Sequence, residues 1–149
     1  MRDSLSSGIS KRCISPTYLA TGDTPFVGQI IDHQGFDSAC YEIATGALAD
    51  SNATFAVLLE EGDAANLSDA AAVADADMVS QTPGTAPETA AGFDYSHDDQ
   101  VRRLGYVGAK RYTRLTITPS GNTGNVYLGA VCILSKRGPG NAVLAQPTA

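Results

Sequence analysis

The chain has 149 residues, of which 43% are hydrophobic and 17% charged, a composition that a single domain of ordinary size can fold around a real core. Its 3 cysteines are odd in number and far apart, which excludes a disulfide framework and a paired-cysteine zinc site and favours a reducing compartment. No run approaches the roughly 18 apolar residues that span a bilayer, and the N-terminus lacks the apolar region of a signal peptide, so we expect a soluble protein.

Charge is segregated along the chain far more than the net value of −6 indicates. Residues 13 to 100 hold all but one of the acids and no Lys or Arg, whereas residues 101 to 149 hold Lys and Arg and no acid. If strands from the two segments pair within one domain, part of this charge cancels. Charge left over would form patches that orient association between subunits, although a solvated surface explains the pattern equally well.

The first half of the chain divides into an N-terminal arm and three strands. Residues 1 to 24 are rich in Ser, Gly and Thr and show no periodicity, which predicts an arm outside the folded domain. Short apolar and alternating runs separated by breakers then predict strands at residues 26 to 33, 37 to 46 and 52 to 62. Their inward faces are expected to carry Ala39, Tyr41 and Ile43 in the second strand and Phe55, Val57 and Leu59 in the third.

The middle of the chain is ambiguous. In residues 63 to 80 the alanines favour helix, while the Asp and Ser residues favour caps and turns. No stripe of large apolar residues appears at helical spacing, so we predict a turn and then a strand near residues 74 to 80, with a short helix before it as the alternative. Pro and Gly predict a loop in the first half of residues 81 to 95, and the second half suits an edge strand.

The strand pattern is clearest after residue 100, where strands are predicted at residues 100 to 108, 110 to 119 and 125 to 136. The middle one should turn Thr113, Leu115 and Ile117 inward. The last is apolar on both faces, so we expect both faces to be covered. Together these elements predict an all-β, single-domain β-sandwich or jelly roll over residues 25 to 137, with a C-terminal tail over residues 138 to 149.

No motif for catalysis or for cofactor binding is recognisable. His33 and His97 lie beside carboxylates, but their spacing matches no metal-binding loop with a known mechanism, and the acidic residues 60 to 77 do not form a calcium loop. Neither a nucleophile elbow nor a phosphate-binding loop is present. We therefore expect no enzyme activity, no cofactor and no metal.

The basic residues fit either a nucleic acid or a protein partner. Lys and Arg side chains near Tyr106 and Tyr112 would suit a polyanion, but a pI near 4.6 and the acidic middle segment oppose that interpretation. A protein interface fits better, because arms that become ordered on docking cover wide surfaces. Ion pairing on a solvated strand explains Arg111 and Arg114 equally well. The residues predicted for the interface are Arg2, Lys11, Arg12, Tyr18, Lys110, Arg111, Tyr112 and Arg114.

Three stretches, at residues 35 to 55, 63 to 77 and 105 to 125, resemble small virion proteins of tailed bacteriophages that are taken as capsid decoration, or cement, proteins. The resemblance covers roughly residues 26 to 135 and implies a β-sandwich or jelly-roll subunit. Such a subunit would bind the outside of the phage head as a dimer or trimer, after assembly in the host cytoplasm. It would clip neighbouring major capsid proteins together against the pressure of the packaged DNA.

Other virion roles remain open from the sequence. A receptor- or glycan-binding module and another minor head-completion protein are the alternatives, since β-sandwiches often carry binding sites on loops. A head protein that contacts DNA is a further one, and its DNA binding would weaken steeply with salt. The resemblance carries no catalytic residues over to this chain.

Overall fold

Alternating apolar residues direct the described part of the chain into eleven strands and one short helix. The computed structural model describes residue 5 and residues 7 to 135. The helix, α1, spans Pro87–Ala91, and single 3₁₀ turns lie at Asp75–Asp77 and Tyr95–His97. The strands are β1 (Gly8–Leu19), β2 (Phe26–Val27), β3 (Ile31–Asp32), β4 (Ser38–Leu48), β5 (Thr54–Gly62), β6 (Ala71–Ala72), β7 (Met78–Ser80), β8 (Phe93–Asp94), β9 (Val101–Tyr106), β10 (Tyr112–Ser120) and β11 (Val126–Ser135).

The strands form two antiparallel sheets. The five-stranded sheet has the order β1-β11-β4-β9-β7, and the six-stranded sheet has the order β2-β10-β5-β6, with β3 paired to β10 and β8 to β5. Strands β9, β10 and β11 lie alternately in the five-stranded and the six-stranded sheet. The prediction of an all-β sandwich is confirmed.

The core lies between the sheets, on the faces that strand alternation predicted. All nine residues expected to point inward from β4, β5 and β10 are buried. Tyr41, Leu59 and Leu115 are completely inaccessible. Each fully buried large apolar side chain contributes about 1.5 to 3 kcal/mol of hydrophobic stabilisation, so these alternating strands account for much of the driving force for folding.

The largest departure from the sequence-based prediction is at the N-terminus. The prediction of an arm over residues 1 to 24 is wrong for Gly8–Leu19, which forms β1 and pairs along its length with β11. Register shifts between Arg12 and Ile14, and again before Thr17, break the two-residue periodicity of this strand. Pro16 lies at the second irregularity, where an edge strand tolerates proline. The tail predicted for residues 138 to 149 lies outside the described residues.

The middle segment follows the sequence-based prediction except for its helix. A turn at Asp75–Asp77 followed by β7 confirms the predicted turn and strand, and β8 confirms an edge strand near residue 94. The helix α1 was not predicted, because it is one turn long and begins with Pro87 in a segment that reads as loop. No helix in the described ranges is long and apolar enough to cross a membrane.

The described residues cover only one of the two faces of strand β11. The prediction that both faces are covered is therefore wrong for this part of the chain. Val126, Leu128 and Leu134 point into the core. On the opposite face Tyr127 is 44% exposed and Val131 is 37% exposed. The outer surface of the five-stranded sheet therefore presents apolar side chains to solvent.

Candidate docking face

The basic residues of β10 and of the turn before it form intramolecular ion pairs with acidic residues. Strand β10 lies between β5 and β3, so the basic and acidic segments of the sequence become neighbours in one sheet. The pairs are Lys110 Nζ to Asp63 Oδ2 at 2.6 Å, Arg111 Nη2 to Asp32 Oδ2 at 2.9 Å, and Arg114 Nη2 to Glu60 Oε2 at 2.8 Å. The predicted cancellation of charge within the fold is confirmed for these three pairs, and Arg114 and Glu60 face each other across paired strands.

These pairs leave β10 with little charge to offer a partner. The Arg111 guanidinium also donates through Nε to Asp32 at 3.0 Å, and this hydrogen bonding lowers the pKa of the Asp32 carboxyl. The same guanidinium lies 4.9 Å from the centre of the Tyr112 ring. The contacts favour the alternative of a solvated strand with paired charges for Lys110, Arg111, Tyr112 and Arg114. Their role in an interface stays a prediction.

The other residues predicted for the interface are Arg2, Lys11, Arg12 and Tyr18, of which the last three lie in β1. Arg2 lies outside the described residues. Lys11 is half-buried and pairs in register with Cys132. Arg12 and Tyr18 are exposed on the outer surface of the five-stranded sheet, where the Tyr18 ring stacks on the Tyr127 ring at a centroid distance of 5.1 Å.

We call the outer surface of β1, β11, β4 and β9 the docking face. Strand register arranges its residues in rows that run across the four strands. A charged row consists of Arg12, Val131, Glu42 and Arg103, and an uncharged row of small residues consists of Gly129, Ala44 and Val101. The Tyr18 and Tyr127 stack lies on the far side of the small row.

Between the tyrosine stack and the charged row lies a shallow depression of about 920 Å³, which we call the trough. Its floor is low because Gly46 and Gly129 carry no side chains: a Cβ on Gly46 would lie 3.1 Å from Tyr127 Cβ, and one on Gly129 would lie 3.2 Å from Pro16 Cα. At its edges Tyr18 is 51% exposed and Val101 is 58% exposed. The exposed aromatic and aliphatic side chains around this depression make it a candidate interaction site.

Sequence reasoning found Tyr18 and Arg12 but missed Tyr127, Val131 and Val101. The signal for the missed residues was present in the apolar outer face of β11. Periodicity alone does not distinguish an apolar face that the same chain covers from one left for a partner, so the sequence predicts a strand buried on both sides.

A polar cluster between the sheets accounts for His33. The His33 Nε2 lies 2.5 Å from Thr113 Oγ1, and the Tyr41 hydroxyl also hydrogen-bonds Thr113 Oγ1. Burial lowers the pKa of His33 to about 4, so the imidazole is neutral at physiological pH. The cluster links β3 and β10 to β4, which indicates a structural role.

His97 is also engaged locally. Its Nδ1 lies 2.9 Å from Asp94 Oδ1, and the two residues close a capping box around the turn at Tyr95–His97. Within the residues that the structure describes, no three side chains of His, Cys, Asp or Glu converge in a way that could hold a metal ion.

No protein-family model, no curated protein and no solved structure matches this chain. The geometry of the docking face and the sequence itself therefore carry the functional argument.

Proposed function

We propose that this chain is a structural protein of a tailed-bacteriophage head, which docks on the outside of the shell and joins neighbouring capsid subunits. The observation that carries the proposal is the exposed, largely uncharged trough on the docking face. The sequence resemblance to decoration proteins supplies the class of partner. Among the described residues, this surface presents apolar and aromatic side chains around the trough and charges in one row beside it.

The chemistry of the docking face suits binding to protein. Aromatic and aliphatic side chains at the centre of a contact supply most of its free energy, while charges beside them fix orientation. The Tyr18 and Tyr127 pair at the edge of the trough supplies such aromatic side chains, and Arg12, Glu42 and Arg103 are such charges. Repetition over a shell compensates for a modest affinity per contact, because each further copy binds at high effective concentration.

The proposal is tested by placing a charge in the trough of the full chain. Val101→Glu puts a carboxylate that must be desolvated into the contact, and we expect it to weaken binding to purified heads by about tenfold or more. Val27→Glu is the matched control, since Val27 is 61% exposed on β2 of the other sheet and Val101 is 58% exposed. Co-sedimentation with heads that lack the protein measures both variants.

Two results would count against the proposal. Wild-type protein that does not sediment with heads removes the assigned partner. Equal binding by the Val101→Glu and Val27→Glu variants, with far-ultraviolet circular dichroism unchanged in both, removes the docking face from the contact.

A further inference from the structure

The fold brings together two cysteines that lie about 120 residues apart in the sequence. Cys13 belongs to β1 and Cys132 to β11, and these two strands pair as antiparallel neighbours. Lys11 opposes Cys132 in this register, and Cys13 lies at the register shift that follows, between Arg12 and Ile14. Both cysteines are free thiols in the core, where Cys13 is 2% exposed and Cys132 is completely buried.

The two thiols are in direct contact. The Cys132 side chain forms a hydrogen bond with the Cys13 side chain, and this contact together with burial raises the pKa of the Cys132 thiol. The Tyr41 hydroxyl also hydrogen-bonds the Cys132 side chain. Since Tyr41 bonds Thr113, which in turn contacts His33, the two thiols end a polar chain that crosses the core from β3 to β1. These contacts hold the two sulfur atoms beside each other.

The third cysteine, Cys40, lies apart from this pair. It points to the outer side of the five-stranded sheet, because its neighbours Ala39 and Tyr41 point inward from β4. Cys13 and Cys132 are therefore the two cysteines that the fold prepares for a bond within one chain, and Cys40 provides an internal control.

We propose that Cys13 and Cys132 form a redox-sensitive cross-link, in which a small-molecule disulfide oxidises the two thiols to a disulfide that joins β1 to β11. In the first step the Cys13 sulfur, as a thiolate, attacks one sulfur of the oxidant, whose S–S bond breaks and releases a thiolate that takes up the Cys13 proton. The Cys132 sulfur then attacks the Cys13 sulfur of this mixed disulfide, and the second small thiol leaves with the Cys132 proton. The two protein sulfurs lose two electrons in total, and the oxidant gains them.

Burial determines when this reaction occurs. An oxidant does not reach a buried thiol in the closed fold, so β1 must open transiently or must not yet have docked. Strand β1 is the edge strand of its sheet and its pairing with β11 is interrupted by two register shifts, so it can open while the other strands stay paired. The Cys13 sulfur leaves the core with β1, which makes it the first to react. A reducing compartment keeps the pair as thiols, and an oxidising one converts it.

The disulfide stabilises the folded chain because of the long loop that it closes. A cross-link between residues about 120 positions apart removes much of the conformational freedom of the unfolded chain. It also fastens the strand whose loss would leave β11 as a bare edge. This stabilisation is independent of the capsid role proposed above, so either proposal stands without the other.

Oxidised glutathione tests the cross-link on the full-length chain. The reduced protein is incubated with it in dilute urea, which lets β1 open below the main unfolding transition, and the remaining thiols are alkylated after denaturation. We expect one alkylated cysteine, Cys40, where the reduced protein has three, and a peptide map that joins Cys13 to Cys132. The thermal midpoint should rise by about 5 to 15 °C and should return to its original value with dithiothreitol.

Cysteine variants assign the effect to the pair. Cys40→Ala is the matched control and should keep both the cross-link and the rise in thermal midpoint, whereas Cys13→Ala and Cys132→Ala should lose both. Three alkylated cysteines in the oxidised wild type, or a bond that includes Cys40, overturns the proposal whether or not the variants fold. A bond between Cys13 and Cys132 that leaves the thermal midpoint unchanged or lower overturns it as well, because strain in the disulfide would then outweigh its constraint on the unfolded chain.

Discussion

At the scale of single residues, His33 shows how burial makes a histidine a reporter of folding. The imidazole contacts Thr113 between the sheets, and burial lowers its pKa from 6.5 to about 4. In that interval the unfolded chain binds more protons than the folded one, so the free energy of unfolding rises with pH. This contribution is complete above the unfolded value and is lost as the pH falls towards 4.

We predict that His33→Gln flattens the pH dependence of stability between pH 6.5 and 4, measured by urea unfolding. Comparison with wild type separates the contribution of His33 to the pH dependence from the contributions of Glu88 and Asp32. The pKa of Glu88 is raised by burial, so that group acts in the opposite sense, and it is present in both proteins. The pKa of Asp32 is lowered mainly by Arg111, so its contribution is lost only below pH 3.8. Parallel pH profiles for the two proteins would contradict the prediction.

At the scale of elements, the helix α1 depends on a cation from a neighbouring strand. The Arg102 Nη2 donates to the Ala90 carbonyl at 2.5 Å and to the Gly92 carbonyl at 3.2 Å, at the end of the helix. A cation in this position helps to satisfy carbonyls that have no partner within the helix, together with Gln81 Nε2 at the Ala90 carbonyl, and it interacts favourably with the helix dipole. A one-turn helix has little stability of its own, so this contact holds it against β9.

We predict that Arg102→Met lowers the free energy of unfolding by about 1 to 3 kcal/mol, because it removes the side-chain donor to the Gly92 carbonyl and one of the two side-chain donors to the Ala90 carbonyl, which also accepts from Gln81 Nε2 at 2.6 Å. Arg103→Met is the matched control, since Arg103 is the next residue of β9 and its side chain is exposed on the docking face. That control should change stability by less than about 0.5 kcal/mol. Urea unfolding of both variants checks the difference, and equal losses would show that α1 does not depend on the Arg102 contact.

The elements also show which parts of the fold a sequence can predict. Strands β4, β5 and β10 were recovered with the correct inward faces, because buried and more exposed residues alternate over residues 39 to 45, 55 to 59 and 113 to 117. Strand β1 was missed because two register shifts move its buried residues out of step, so that Cys13 and Ile14 are buried in succession. The position of β1 at the edge of its sheet follows from the order of all the strands, so it cannot be predicted from the local sequence.

The same distinction applies to the candidate site. The charged residues are conspicuous in the sequence. In the fold, however, Arg111 and Arg114 form intramolecular ion pairs with Asp32 and Glu60. The trough depends on which face of β11 the rest of the chain leaves open, and that follows from how all the strands stack. Only Tyr18 and Arg12 were predicted from the sequence and lie on the docking face.

At the scale of the whole molecule, β1 decides whether the sandwich closes. It covers one edge of β11 and buries Ile9, Cys13 and Ile14 in the core. Removing the two Ile side chains alone costs about 3 to 6 kcal/mol of hydrophobic stabilisation. That amount is a large part of the total stability of a typical domain, which is about 5 to 15 kcal/mol. Loss of β1 would also leave a long edge of β11 unpaired.

We therefore predict opposite outcomes for two N-terminal deletions. A chain that starts at residue 7 retains β1 and should keep a cooperative thermal transition and the β spectrum in circular dichroism. A chain that starts at residue 20 should lose the cooperative transition and aggregate, because β11 becomes a bare edge strand. A cooperative melt and a monomeric gel-filtration peak for the shorter chain would contradict this, and would return residues 8 to 19 to the status of a dispensable arm.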